Sequence, residues 1–379
     1  MPADSAATGA QASDGRWRLG HRPALDGLRG FAILLVMADH SGIAIASGAG
    51  NLGVTIFFVL SGFLITTLLL EERARYGRVS LRRFYWRRAL RLLPALIGLL
   101  AVIAVVMGVA GRADEIAGDV IPALFYVMNW TIVAGNNPGI VGHTWTLSIE
   151  EQFYLVWPLA LLGVLAVGRG RLAWVSAFLI GAVVVAIVLR VALWSGQGGY
   201  YRTFVGTDTR MDALAIGCLV AVAFSRRPIK VPPLVMAALA ASIPLILWIT
   251  DDSSMAAIGL AATALAAAGL VAGAASGGGD RVLGWRPLAY VGLISYGLYL
   301  WHRPLMRVFT DSGLGGVPWA VVLMFAISLG LAFVSRRFVE DPFLALKDRY
   351  FTSRAIRERA ADGPRRESED RTVAAEGSQ

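Results

Sequence analysis

Residues 51–70 read NLGVTIFFVLSGFLITTLLL, twenty positions without a charged side chain. As a helix rising about 1.5 Å per residue, the run reaches about 30 Å, the thickness of a bilayer's hydrocarbon core. Comparable apolar stretches recur near 24–46, 92–110, 150–168, 172–195, 211–225, 231–250, 255–275, 287–309 and 317–335. The predicted fold class is therefore all-α: a polytopic transmembrane helix bundle of about ten spans. The stretch 211–225 is the weakest and needs 208–210 to reach full length.

Composition points the same way. Of 379 residues, 56% are hydrophobic and 16% charged, against about 45–50% apolar and about 25% charged in soluble chains. This excludes a soluble enzyme, a disordered chain and a fibrous repeat as first readings. Cys218 is the sole cysteine, so neither an intrachain disulfide nor a cysteine-built zinc site is available. A net charge of +9 would suggest nucleic acid in a soluble chain. In a membrane protein it reports orientation, and no nucleic-acid partner is expected.

Loop charges set that orientation. With a cytoplasmic N-terminus, the inner loops hold Arg73 to Arg91, Arg169, Arg171, Arg226, Arg227, Lys230, Arg281 and Arg286. The outer loops hold Arg112, Arg202 and Arg210 with the acids Asp114, Glu115, Asp119, Asp251 and Asp252. The bias places both termini in the cytoplasm. Counting 120–134, with its Pro122 and Asn129, as a span would invert every later loop, so it reads as a partial outer segment. Residues 1–22 read as a cytoplasmic tail with no signal peptide, 23–345 as the membrane domain, and 346–379 as a charged, disordered cytoplasmic tail with a short helix near 353–361. Gly277-Gly278-Gly279 marks a loop and is not a phosphate loop.

Five polar constellations interrupt this apolar background, where ionisable groups are functional candidates by default. Leu25-Asp26-Gly27-Leu28-Arg29-Gly30 opens a helix that ends in Asp39-His40. Arg29 and His40 are eleven residues apart, so they lie about 20° from a common face and about 16 Å apart along the axis. One face thus carries a cation and, farther on, an imidazole able to act as general base. The structural alternative is a snorkelling Arg and a His bonded to a neighbouring helix. In His143 to Tyr154, Ser148 is expected to cap a helix with Glu151 three residues on, a capping box. That leaves Glu150 as a carboxylate at the mouth of a span, able to orient a histidine. No two of these acids and histidines share a tight metal spacing, and no metal is expected.

Arg82 to Pro94 places Arg88 and Arg91 on one helix face, suited to phosphate. Taken alone, positive-inside charge attracted to anionic lipid is the stronger account of them. Ser295 to Pro304 (SYGLYLWHRP) sets His302 and Arg303 too deep for an interfacial aromatic belt. Arg210-Met211-Asp212 reads as an acid–base pair at a span start, most often structural.

In this order, the five pieces resemble the acyltransferase-3 family of bacterial integral-membrane O-acyltransferases. Phe57 to Ile65 and Glu340-Asp341-Pro342-Phe343 add to the match, which covers about residues 23–345. The resemblance implies an enzyme of the cell (plasma or inner) membrane. It would move an acyl group, often acetyl, from acyl-CoA to a hydroxyl, commonly on a carbohydrate or glycosylated acceptor. It implies that His40 is catalytic, that Arg29 belongs to the donor site, and that Glu150 and the Arg88/Arg91 pair have roles. Arg87 joins the donor arginines on the cytoplasmic side. The candidate substrate pocket comprises Asp26, His143, Trp145, Ser148, Tyr154, Arg210, Asp212, Tyr296, Trp301 and His302, with Ser148, Tyr296 and His302 as candidate oxyanion donors. Acetyl-CoA enters as donor substrate and no bound cofactor is expected. The chain departs from the family at Arg303, where a second Trp is usual, and no SGNH-type secreted domain, fused to some members, is expected. A transporter or flippase is the rival reading; the absence of paired repeats and broken helices in the sequence speaks against it.

Overall fold

The computed structural model describes residues 17–194, 199–227 and 229–346. The first sixteen residues of the expected N-terminal tail and the expected tail beyond residue 346, with its helix near 353–361, lie outside the described residues. Among the described residues the secondary structure is helical, without strands. In chain order the helices are α1 (Pro23–His40), α2 (Ala49–Tyr76), α3 (Leu81–Val109), the short α4 (Ile116–Leu124) and α5 (Met128–Val133), α6 (Trp145–Val167) and α7 (Leu172–Leu193). There follow α8 (Tyr200–Val205), α9 (Thr207–Arg226), α10 (Pro233–Ile249), α11 (Asp252–Ser254), α12 (Leu260–Ala275), α13 (Arg286–Leu293), α14 (Ser295–Asp311) and α15 (Pro318–Ser335). A π-helical turn, Met255–Gly259, joins α11 to α12, and another, Arg336–Glu340, extends α15.

Six segments are long and apolar enough to cross a membrane: Ala44–Tyr76, Leu81–Val109, Gly142–Val167, Leu172–Leu193, Asp252–Ala275 and Pro318–Leu346. The chain is a multi-pass helical membrane protein. The other four expected spans are helical but differ in kind. α9 carries the buried charges Arg210 and Asp212, α1 carries the half-buried Asp26, Arg29 and Asp39, and α10 is 17 residues long. The expected single span 287–309 is instead two helices: Ile294 leaves helical geometry at φ −96°, ψ 7°. The break follows Gly292, a poor helix former whose missing side chain brings α13 against the backbone of α1 at Asp26.

The predicted partial segment 120–134 folds as α4 and α5, of nine and six residues, separated by Tyr126 at φ 54°. Neither is long enough to span. Asp119 clamps this segment by accepting the Ile140 N–H at 2.8 Å. Burial pushes the Asp119 carboxyl up from its ordinary range, and that hydrogen bond opposes the shift.

The bundle is built around α2. Of the apolar stretch in Ala44–Tyr76, 78% is buried inside the protein, against 17% for Leu172–Leu193. The outer helices present the remainder of their apolar side chains to lipid. α2 packs on α1 and α9, and glycines set the spacing. A side chain at Gly62 would strike the Leu214 carbonyl, and one at Gly217 the Val59 carbonyl. Small residues at such crossings let helix backbones approach where hydrophobic driving force is absent. Gly217→Val is therefore expected to push α2 and α9 apart and destabilise the bundle by about 1–3 kcal/mol or more. Thermal unfolding in detergent checks this; an unchanged midpoint would contradict the close contact.

Candidate active site

Between α1, α2, α3 and α6 lies a cavity of about 740 Å³. Its polar lining includes Arg29 on α1, Ser61, Glu71, Glu72 and Arg75 on α2, Arg83, Arg87, Arg88 and Arg91 on α3, Glu150, Glu151 and Tyr154 on α6, and Tyr296 on α14. The local cause on α3 is simple. Ser80 caps the helix, its Oγ accepting the Arg83 N–H at 3.4 Å. The helix then starts at Leu81, so the arginine cluster is helical and its i, i+3 and i, i+4 members share a face. Trp17 and Arg18 close one side of the cavity. Trp17 packs edge-on against Phe224, 4.8 Å between ring centres, and the Leu19 N–H donates to Glu71 at 2.6 Å.

The arginines are not equivalent. Arg88 forms an ion pair with Glu151 at 2.9 Å and lies over the Tyr154 ring at 3.2 Å. Arg29 and Arg91 have no carboxylate within ion-pair distance among the described residues. Two guanidiniums without acid partners in a partly apolar cavity make a site that favours an anion, phosphate above all. Glu150 accepts a 2.5 Å hydrogen bond from Ser61.

A smaller, narrow lobe of about 60 Å³ shares Arg29, Glu150 and Tyr296 with the first cavity and is also lined by Thr146, Ser295 and Tyr299. The Tyr299 hydroxyl donates to the His143 carbonyl at 2.6 Å and accepts from Thr146 at 2.5 Å. Behind Tyr299 three histidines gather. The His302 ring lies 5.5 Å from His143, edge-on, and stacks with His40 at 5.2 Å. His40 Nδ1 is 3.0 Å from His302 Nε2. His40 lines neither lobe. No hydrogen bond of ordinary geometry reaches either ring nitrogen of His143 among the described residues. No group of three or more His, Cys, Asp or Glu among the described residues is placed to hold a metal ion.

Several sequence expectations are corrected. The Ser148–Glu151 capping box does not form, because α6 begins at Trp145, four residues early, and Thr144 occupies the cap. Ser148 sits inside the helix, donating to the Thr144 carbonyl at 3.1 Å and accepting the Met128 N–H at 3.2 Å. Glu151 instead neutralises Arg88. Glu150 does not orient His40: Ser61 is its partner, and His302 takes that place beside the imidazole. The three candidate oxyanion donors are committed elsewhere. Ser148 bonds backbone, the Tyr296 hydroxyl donates to the Leu92 carbonyl at 2.7 Å, and His302 Nδ1 faces two carbonyls.

Of the remaining pocket candidates, Tyr154 and Tyr296 line the cavity. Asp26 turns away from it and meets His21 at 3.2 Å. Trp145 packs edge-on against Phe58, and Trp301 packs against the apolar core. Arg210 and Asp212 are not partners in an exposed pair. Asp212 is buried and pairs with Arg190 at 2.8 Å, while Arg210 donates to Thr55 at 3.2 Å over the Phe58 ring. Arg190 also donates to the carbonyls of Thr209 and Ala256, tying α7 to α9 and to the π-helical turn. The sequence reading passed over Arg190, Ser61, Thr146 and Tyr299. For Arg190 a signal existed: a lone arginine in the apolar run 172–193 needs an acid partner.

Asp212→Asn is expected to leave Arg190 buried without its counter-charge, costing roughly 3–5 kcal/mol. Thermal unfolding in detergent reads this, and Asp212→Asn with wild-type stability would show the pair to be dispensable.

Comparison with known proteins adds an independent finding. The sequence profile of a family described as an acyltransferase domain matches residues 22–337. YrhL of Bacillus subtilis is 34% identical over 365 residues, covering 88% of this chain and 56% of the relative. Peptidoglycan O-acetyltransferase OatA of Listeria monocytogenes is 32% identical over 346 residues, covering 84% of this chain and 55% of that protein. O-acetyltransferase OatA of Staphylococcus aureus is 30% identical over 355 residues, with 84% and 57% covered. The chain thus spans little more than half the length of these curated relatives. No solved structure matches it. The arginine-lined cavity, the histidine at the far end of α1 and the profile match over nearly all of the bundle agree: this chain belongs to the integral-membrane family defined by that acyltransferase domain.

Proposed function

We propose that this protein transfers an acetyl group from acetyl-CoA to a hydroxyl of a cell-envelope glycan at the plasma membrane. The observation that carries the donor half is the pair Arg29 and Arg91 in one cavity, with no carboxylate within ion-pair distance of either among the described residues. A coenzyme A nucleotide is anionic and is made in the cytoplasm, the side to which loop charge assigns these arginines. Arg29 and Arg91 hold its phosphates, with Arg87 beside them. Arg88 keeps its charge balanced by Glu151 and shapes the wall.

The pantetheine arm then follows the narrow lobe along α1 toward His40, about 16 Å from Arg29 by helix geometry. Tyr299 stands in that path, so its hydrogen bonds to Thr146 and the His143 carbonyl must open for the thioester to pass. At the far end His40 takes the proton of the acceptor hydroxyl as its oxygen attacks the thioester carbonyl. The thiolate leaves as the tetrahedral intermediate collapses. Acetyl as the acyl group is supported by the names of the Listeria and Staphylococcus relatives, and a peptidoglycan-type glycan as acceptor by those of the Bacillus and Listeria relatives. With donor arginines on one side and His40 beyond Tyr299, the reading favours transfer across the membrane.

His40→Ala is expected to lower transfer by roughly 10²–10⁴-fold, the contribution of a positioned base, while the protein stays folded in detergent. Full turnover in that variant refutes the scheme. Arg29→Ala is expected to weaken acetyl-CoA binding by roughly tenfold or more, the worth of a charge-assisted hydrogen bond. Calorimetry with unchanged affinity would remove Arg29 from the donor site. In sealed, oriented vesicles, acetylation of an impermeant glycan offered outside, with acetyl-CoA inside, tests the sidedness; reaction only when both share one compartment contradicts it.

A further inference from the structure

The tautomer of His40 can be read from its neighbours. His302 Nδ1 lies 2.8 Å from the Tyr299 carbonyl and 3.1 Å from the Leu298 carbonyl. A carbonyl oxygen only accepts, so Nδ1 of His302 carries a proton. His302 is fully buried and has no carboxylate within ion-pair distance among the described residues. A charged imidazole there would be an uncompensated buried cation, beside Arg303 in the chain. His302 is therefore neutral, and its Nε2 presents a lone pair. That lone pair faces His40 Nδ1 at 3.0 Å. Two lone pairs at this distance repel, so His40 Nδ1 must carry the proton and donate.

We propose that His302 is a positioning residue that holds His40 in the Nδ1–H tautomer and leaves His40 Nε2 as the free basic atom. The backbone of α14 fixes His302, and His302 fixes His40. His40 Nε2 makes no hydrogen bond among the described residues, and His40 is only half-buried, so this atom is the one open to a substrate hydroxyl. The functional half of the assignment rests on His40 being the base. During transfer the hydroxyl proton goes to Nε2 and the hydroxyl oxygen bonds to the acyl carbon. The carbon–sulfur bond then breaks, and the thiolate takes the proton back. While His40 is an imidazolium, its Nδ1–H donates to His302 Nε2 and spreads the charge. A carboxylate fills this place in serine hydrolase triads; here it is a neutral imidazole tied to a helix backbone.

The chain has four histidines, so nitrogen NMR of protein labelled with ¹⁵N-histidine is tractable, with the His40 signals identified by their loss in His40→Gln. The wild type should show His40 protonated at Nδ1 and bare at Nε2 at neutral pH. His302→Gln, whose amide oxygen can accept from His40, should keep that tautomer and part of kcat. His302→Leu fills similar space without an acceptor. It should release His40 to the Nε2–H form and lower kcat roughly 100-fold, the lower end of a base's contribution, with KM for acetyl-CoA little changed. A wild-type His40 protonated at Nε2 overturns the proposal, whether or not the Leu variant folds. So does a folded His302→Leu protein with wild-type tautomer and kcat. If His40→Ala keeps full turnover while the Nδ1–H tautomer is found, the tautomer assignment stands and the base reading alone fails.

Discussion

Charge inside an apolar bundle is expensive, and the architecture follows from where that expense is met. The Arg190–Asp212 pair is the plainest case. Both side chains are almost wholly buried, and Arg190 also satisfies two backbone carbonyls. It fixes α7, otherwise a peripheral helix, to α9, and α9 lies against α2 through glycines. Arg88 is met the same way by Glu151 and the face of Tyr154. Against this background two arginines with no carboxylate within ion-pair distance among the described residues stand out: Arg29 and Arg91 both face a large cavity.

The fold class was legible because hydrophobic length is a local property. Every stretch predicted to span is largely helical within the described residues, with breaks after His40 and at Ile294, and the segment 120–134, expected not to span, lies in the short helices α4 and α5. Detail failed where a contact distant in sequence decides it. The break at Ile294 depends on α13 lying on α1, and nothing in 287–309 announces that neighbour. The start of α6 failed for a related reason. Ser148 looks like a cap, but burial beneath α5 supplies it with backbone partners at Thr144 and Met128.

The site was legible by residue type and less so by pairing. Arg29, Arg87, Arg88, Arg91, Glu150, Tyr154 and Tyr296 do meet in one cavity. Which carboxylate balances which arginine, and which group faces His40, could not be read from spacing. Sequence alone offers Glu150, a carboxylate at the mouth of a span, as a group able to orient a histidine; beside His40 the structure places another. The partner is His302, 262 residues away in sequence. Asp212 follows the same rule, drawing a partner from α7 rather than from Arg210, two residues away.

These placements divide the protein's polar interior in two. On one side of Tyr299 lie fixed cations, a half-open cavity and the Trp17 edge; on the other lie three histidines packed ring against ring. The first region attracts charge and the second avoids it, since an imidazole buried among others is poorly placed to carry a permanent proton. The donor proposed above, with an anionic head and a neutral, narrow tail, would suit that sequence of environments: the head would be retained at the arginines and only the thioester end admitted past Tyr299. Arg29 and His40 lie on the same unbroken helix, so under the proposed mechanism the length of α1 itself would set the separation between the group that holds the head and the group that meets the acyl carbon. A shift of one helical turn in either residue would alter that separation by about 5 Å, so on that proposal the eleven-residue spacing is a geometric constraint and not only a label for the family.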